Sequence, residues 1–541
     1  MFKRLYGWFD RNILELGREM RLSYLPPLMV YVAAGISGLT AIVGTFFVKD
    51  YLGLSAEFLA GLGFWAGIPW ALKMPLGHLV DLIWRYKSGL VWLGATLIAI
   101  SLCIMLGLLA YTDTMRQIMT VDAWFVLSAL LAPIGYVIQD VVADAMTVEA
   151  VPRLDSEGQP FDEGTTRLMH TTMQTLGRVA IVGGGVIVAL LNIFMFSGVE
   201  FMSETAKVQV YIRIYQLALL IPLISVLGVT LGGVLKIRES HRLRRLGFSW
   251  KEAWATIQIQ VEQPAVNWWI LGGSLGFVVF TLTLGLGKLP YNQEIIFLGS
   301  MVIVLFLMSK LVQALEPSVR LVLVGTAIII FVYRAIPTPG PGATWWMIDK
   351  LGFDQRFLSV LSLISSSLAL FGMFIFRRFM AERSIAYVIV FLTIAATLLS
   401  LPIIGLYFGL QEWTAAHTWG IVDARFIALV DTALESPLGQ VAMIPMLAWI
   451  ANSAPSNLKA TFFAVMASFT NLALSAGQLG TKYLNQIFLI TREVQNQATG
   501  VITVPADYSE LGVLLITVSV IGLALPLSAI VLVRSLGFRS A

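Results

Sequence analysis

Residues 121–147 read VDAWFVLSALLAPIGYVIQDVVADAMT, an apolar run long enough to cross a bilayer that carries Asp140 and Asp144 near its inner end. Four positions separate the two carboxylates, so on a helix they stand one above the other on one face. An ionised side chain at such depth costs at least ~2.5 kcal/mol. Something must compensate them. The expectation is that they face a polar interior enclosed by other membrane helices, in a bundle that moves a solute past such groups.

The rest of the chain supplies those helices. Of 541 residues, 57% are hydrophobic and 13% charged, against about 25% charged in soluble domains, and the mean hydropathy is +0.82. Windows of about 20 apolar residues place spans near 25–48, 58–82, 88–110, 121–147, 166–193, 209–235, 266–287, 294–314, 319–336, 354–376, 384–408, 425–451, 459–481 and 511–534. With the N-terminus cytoplasmic, 23 of the 36 Lys and Arg fall in inward segments, 9 in outward segments and 4 within spans. That bias sets the orientation, with both termini cytoplasmic. The net charge of +4 is spread over span ends rather than gathered in a patch, which argues against nucleic acid as a partner. Cys103 cannot form an internal disulfide and reports little on redox compartment. Residues 1–21 lack a small-residue cleavage site and precede a run of full spanning length, so they read as an amphipathic surface helix rather than a removable signal.

The expected organisation is an amphipathic cytoplasmic segment at 1–24, a six-helix bundle at 25–235, a cytoplasmic linker at 236–265, a two-helix hairpin at 266–316 and a second six-helix bundle at 317–541. The linker opens with a basic cluster and continues through Trp250, Trp254 and Ile257 at helical spacing. The hairpin has few polar groups and reads as lipid-facing, with membership of the functional core as the alternative.

Polar groups inside the spans carry the chemistry. Lys73, between Pro69 and Pro75, lies about ten residues from the inner end of its span, near mid-depth at ~1.5 Å per residue. A Lys there pairs with a carboxylate more readily than it reaches water, and Asp140 matches its depth. Arg167, His170, Gln174 and Arg178 recur at helical spacing and form one polar stripe. The planar fork of Arg178 suits a carboxylate ligand, and glycines at 177 and 183–185 allow close approach. Asp431 and Glu435 repeat the four-residue spacing of Asp140 and Asp144, with Pro437 following. Desolvation at that depth favours a neutral carboxyl group, which lets Glu435, Asp431 or Asp140 carry a proton through a conformational change. The alternative for Glu435 and Asp431 is a structural contact to Arg334. Phosphate-loop, metal-ligand and nucleophile–base patterns are absent from the sequence, so neither an enzyme, a resident cofactor nor ATP-driven transport is expected.

Gly77-His78-Leu79-Val80-Asp81-Leu82-Ile83-Trp84-Arg85-Tyr86-Lys87 resembles the loop 2–3 signature of the major facilitator superfamily, with Leu82 and Trp84 departing from it. In that superfamily the Asp and Arg act with an acidic residue of span 4 as a cytoplasmic latch, a role that would fall on Asp81, Arg85 and Asp144. Within it, the chain is similar to the folate-biopterin transporter family. The similarity rests on Phe46 to Ser55 with Pro69-Trp70-Ala71-Leu72-Lys73, on Asp140 to Ala145 with Glu149, and on Pro445, Ala454-Pro455, Ala460 to Ala464, Ser468 and Asn471. Lys459 stands where the family has an acidic residue, and Met74 separates Lys73 from Pro75.

The resemblance implies proton-linked movement of pterins, folates or similar conjugates. Asp140 or Glu435 would hold the ring through paired hydrogen bonds, Lys73 and Arg178 an anionic tail, and Trp65, Trp70 or Tyr136 would stack, with Gln174 and Asn471 completing the substrate-binding set. The fold expected is an all-α major facilitator of 6 + 2 + 6 transmembrane helices with two pseudo-symmetric bundles, a monomer in a bacterial inner membrane, binding a small-molecule solute and a proton between the bundles. Two rivals stay open: a carrier of the same kind for a different amphiphilic metabolite or exported compound, and a membrane assembly factor that does not transport.

Overall fold

The computed structural model describes residues 15–540 except 52–53, 72, 84–85, 153, 156, 158, 258–267, 287–289, 314–315, 377–378, 380–382, 440, 442–458 and 496–501. The amphipathic segment expected at 1–24 lies mostly outside the described residues. The first span consists of α1 (Leu25–Gly35), a 3-10 turn at Ile36–Thr40 and α2 (Ala41–Tyr51). The second is seen as α3 (Ala56–Ala71) and α4 (Lys73–Leu82) on either side of residue 72. There follow α5 (Lys87–Ala110), the short α6 (Thr112–Ile118), α7 (Val121–Ala150), α8 (Glu163–Met195), α9 (Glu204–Ala218) and α10 (Leu220–Arg245). Next come α11 (Trp250–Ile257) and a helical hairpin of α12 (Trp268–Leu286) and α13 (Asn292–Gln313). The remaining helices are α14 (Pro317–Arg334), α15 (Pro341–Leu351), α16 (Gln355–Ile375), α17 (Ile385–Tyr407), α18 (Leu410–His417), α19 (Ala424–Glu435), α20 (Lys459–Ile487) and α21 (Leu511–Ser535).

Among the described residues the fold is all-helical apart from one antiparallel strand pair, Val494–Gln495 with Ile502–Val504, before α21. Ten described helical stretches are long and apolar enough to cross a membrane. Among the fourteen expected windows, 58–82, 266–287, 294–314 and 425–451 include residues outside the description. The window at 459–481 is made less apolar by Ser468, Asn471, Ser475 and Gln478.

The basic cluster Lys236–Arg245, which opens the segment expected at 236–265, continues α10 through its last turns. No helix breaker intervenes before Gly247, and cations at a helix C-terminus are favoured by its dipole. The hairpin α12–α13 is lipid-facing on one side only. Leu275, Val279, Leu298 and Val302 are exposed, whereas Phe277 and Ile296 are buried against Phe64 and Ile68 of α3 and Leu479 of α20.

Small residues and buried hydroxyls and amides bring the helices together, as expected where lipid supplies no hydrophobic drive. Gly94 of α5 and Gly135 of α7 cross so closely that a Cβ on either would lie 2.6 Å from the other's carbonyl oxygen. Two turns away, Ser101 Oγ donates to the Ser128 carbonyl at 2.8 Å and Ser128 Oγ to the Ser101 carbonyl at 2.9 Å. Gln139 Nε2 donates to the Val91 carbonyl at 3.2 Å, and Gln139 Oε1 accepts from Ser225 Oγ at 3.0 Å. These ties fix the rotation of α7 and hence the face that carries Asp140.

Glu149, at the end of α7 beyond the apolar stretch, accepts from Lys87 Nζ at 2.5 Å and Lys236 Nζ at 2.8 Å, tying α7 to α5 and α10. Burial raises its carboxyl, but the two ammonium groups outweigh that and hold it below the ordinary glutamate range. Its contribution is therefore complete above the ordinary value of about 4.3 and is lost as pH falls through the lower folded value. Glu149→Gln is expected to lower the melting temperature by several degrees at pH 7. The gap from the unmodified protein should close below about pH 4, as differential scanning fluorimetry at graded pH would show.

The helices before residue 246 meet those after residue 316 along two seams. In one, α3 packs on α20, with Gly63 under Gln478, Gly67 under Ser475, and Asn471 Nδ2 donating to the Trp70 carbonyl at 3.1 Å. In the other, α8 packs on α16, with Gly185 against Ser366. Further ties lie on the face reached by Lys49, Asp349 and Gln486, called the distal face below. Lys49 Nζ is 2.6 Å from Asp349 Oδ1, Tyr508 OH donates to Asp349 Oδ2 at 2.5 Å, Gln355 Nε2 donates to Tyr211 OH at 2.9 Å, and Gln486 Nε2 donates to Glu57 Oε1 at 2.6 Å.

Candidate functional site

The carboxylates of Asp140 and Asp144 share a face of α7, and the cation they share is Lys73 at the start of α4. Its Nζ is 2.6 Å from Asp140 Oδ2 and 2.8 Å from Asp144 Oδ2. Tyr31 of α1 donates its hydroxyl to Asp144 Oδ1 at 2.7 Å. One turn on, Thr147 Oγ1 donates to the Asp144 carbonyl at 2.7 Å and accepts from Gln174 Nε2 of α8 at 3.2 Å. Four helices of the N-terminal group thus converge on one charged cluster. Asp144 keeps 42% of its side chain exposed, while Lys73 and Asp140 keep 20% and 16%. The open edge is therefore on the Asp144 side.

Arg178 joins the cluster electrostatically, its charge acting on Asp140 and Tyr31. It stands seven residues before Gly185 on α8, hence on the same helix face, which meets α16 across the seam. Its charge also acts on Arg334 at the end of α14. Arg334, from the other half of the molecule, thus lies within electrostatic reach of Arg178.

Other expected residues are placed differently. Tyr136 lies one turn before Asp140, with the Ser37 side chain near its hydroxyl. Asn471 has its amide on the Trp70 carbonyl, so it ties α3 to α20. Trp65 stacks edge-on to Phe64 at 5.7 Å and packs among the residues under the hairpin, away from the charges. Asp431 and Glu435 stand on α19, which packs on α16 and α17. Asp431 is buried, with Oδ1 lacking a hydrogen-bond partner among the described residues, whereas Glu435 is exposed. Among the described residues no hydrogen bond or ion pair joins these two carboxyl groups to the Lys73 cluster. The Asp81 side chain and Arg85, the expected latch partners of Asp144, lie outside the described residues, as do the side chains of Arg167 and His170.

Tyr31 and Arg334 were not legible as site members. A tyrosine in an apolar span shows no partner in sequence, and Arg334 stands at the end of its span where a surface position is the simpler reading.

The BT1 family model matches residues 34–536, nearly the whole chain and every element of this cluster except Tyr31. The chain belongs to the BT1 family. A folate-biopterin transporter from Synechocystis sp. is 22% identical over 484 residues, covering 88% of this chain and 78% of the relative. A putative folate transporter 2 from Plasmodium berghei is 28% identical over 163 residues, 30% of this chain and 34% of that one. Among solved structures, a peptide transporter POT in complex with sulfate aligns with TM-score 0.58 and 15% identity over 95% of this chain and 94% of that one. A POT family transporter in complex with 5-aminolevulinic acid aligns with TM-score 0.56 and 13% identity over 95% and 96%. The fold is thus that of the major facilitator transporters, and this BT1-family chain is a multi-pass membrane transporter, not an enzyme.

Proposed function

We propose that this BT1-family transporter moves a pterin- or folate-like organic anion or zwitterion by alternating access, coupled to protons. The observation that carries the reading is the Lys73–Asp140–Asp144 cluster with Arg178 beside it, facing a seam to which the other half of the molecule brings Arg334. A pterin ring presents a ring N–H next to an exocyclic amine, a pair that one carboxylate accepts in two charge-assisted bonds. A carboxylate tail is complementary to the guanidinium of Arg178. The names of the Synechocystis and Plasmodium relatives support this solute class.

The moving units in this reading are 25–235 and 317–541, rocking about the two seams, with both termini cytoplasmic in a bacterial inner membrane. Protons act through carboxyl groups whose countercharge changes between states. Asp140 exchanges Lys73 for the substrate ring, and Asp431 and Glu435 offer a second, separate carboxyl pair on α19. A proton or solute drives the change only through unequal affinity for the two states.

Uptake of labelled folate and biopterin into proteoliposomes, with and without an imposed proton gradient, tests the reading. Uptake should require Asp140 and rise with the gradient. Failure of a broad pterin and folate panel would remove the substrate class. Unchanged pH dependence in both Asp140→Asn and Glu435→Gln would remove the proton coupling.

A further inference from the structure

The hairpin α12–α13 lies across the seam between α3 and α20, and two adjacent residues in the first turn of α13 reach opposite sides of it. Gln293 Nε2 donates to the Gly61 carbonyl of α3 at 3.2 Å. Glu294 Oε1 accepts from Lys482 Nζ at 3.0 Å and from Tyr483 OH at 2.7 Å, both on α20. Beneath them, Phe277 and Ile296 of the hairpin, Phe64 and Ile68 of α3 and Leu479 of α20 form a single apolar cluster. Further along, Val304, Leu307 and Met308 of α13 are buried with Leu323, Ile330, Phe469 and Ile530 of the C-terminal helices. The hairpin is thus anchored at length on the C-terminal side through α13, while it meets the N-terminal side through α12 packed on α4 and, at the distal end, through the Gln293 contact.

We infer that the α12–α13 hairpin is a clasp on the distal mouth, with the Gln293–Gly61 contact as its releasable end. Any motion that parts α3 from α20 at the distal face must break that contact together with the Glu57–Gln486 tie, because α13 stays with the C-terminal helices. Gly61 suits the role: a Cβ there would stand 3.1 Å from Gln293 Nε2 and push the amide back. Gln293 is buried, yet its Oε1 has no hydrogen-bond partner among the described residues. A purely structural buried amide is normally satisfied at both ends. One bonded at only one end fits a contact that is made and broken.

The test uses spin labels at Arg116→Cys and His417→Cys, two exposed distal positions on opposite sides, in a Cys103→Ser background, with the full chain in lipid nanodiscs. Double electron–electron resonance should show a longer, distal-open distance gaining weight in Gln293→Ala and in Gly61→Ala. The ratio of open to closed should rise by about three- to ten-fold, as expected from losing one neutral hydrogen bond. Leu298→Ala, on the lipid side of the same helix, should leave the distribution unchanged. Identical distributions in all of these variants would overturn the clasp. As a second measurement, cysteines at 61 and 293 joined by a cleavable cross-linker should stop uptake of whichever solute the protein carries and release it on cleavage. Uptake that continues through the cross-link would overturn the clasp even if the first variants do not fold. None of these outcomes depends on the pterin assignment.

Discussion

Lys73→Met is expected to abolish uptake and lower thermal stability together. The substitution leaves Asp140 and Asp144 facing each other without the ammonium that lies within 2.8 Å of both. Removing one member of a buried ion pair costs roughly 3–5 kcal/mol because the remaining charge is uncompensated. Adding Asp140→Asn and Asp144→Asn should restore most of the melting temperature, since replacing the whole set with neutral groups is close to neutral in energy. Transport should not return with it. A triple variant that is both stable and active in proteoliposomes would mean that the three charges only hold α4 to α7.

The second large effect is expected at the guanidinium pair. A carboxylate bound between Arg178 and Arg334 gains charge-assisted bonds from each half of the molecule, each worth about 1.5–3 kcal/mol. Arg334→Gln should therefore raise the half-saturating concentration of a carboxylate-bearing solute by about ten- to a hundred-fold. A related ring without a carboxylate should be affected far less. Arg178→Lys should lose most of the same discrimination, because a point charge cannot reproduce the two-pronged geometry. Equal losses for charged and uncharged solutes in both variants would show that these residues act on folding or rocking rather than on recognition.

The clasp lies on the α3–α20 seam and the Arg178 face of the charged cluster on the α8–α16 seam, and this separates their signatures. Changes at Gln293 should alter how long the distal mouth stays shut without changing which solutes are recognised. Changes at Arg178 and Arg334 should do the reverse. The carboxyl groups on α19 are a third location. Asp431 is buried without a described partner, so proton dependence that persists in Asp140→Asn would point there.

Much of the cluster was legible in sequence because helical periodicity is a local property. The four-residue spacing of Asp140 and Asp144 fixes a shared face whatever surrounds them, and the depth of Lys73 makes a carboxylate partner obligatory. Membership of span 5 likewise fixed Gln174 and Arg178 on one stripe.

What periodicity cannot supply is the azimuth of each helix about its own axis and the neighbour it meets. Tyr31 reaches Asp144 because α1 crosses α8 at Gly35 and Gly184, an approach that depends on both helices at once. Arg334 comes to Arg178 only through the seam between the two halves, and Asp431 and Glu435, identical in spacing to the α7 pair, stand apart from it. The hairpin shows the same division: its sequence is apolar on every side, so composition alone assigned it to lipid. Only the packed structure decided that one of its faces covers the line where the two halves of the molecule part.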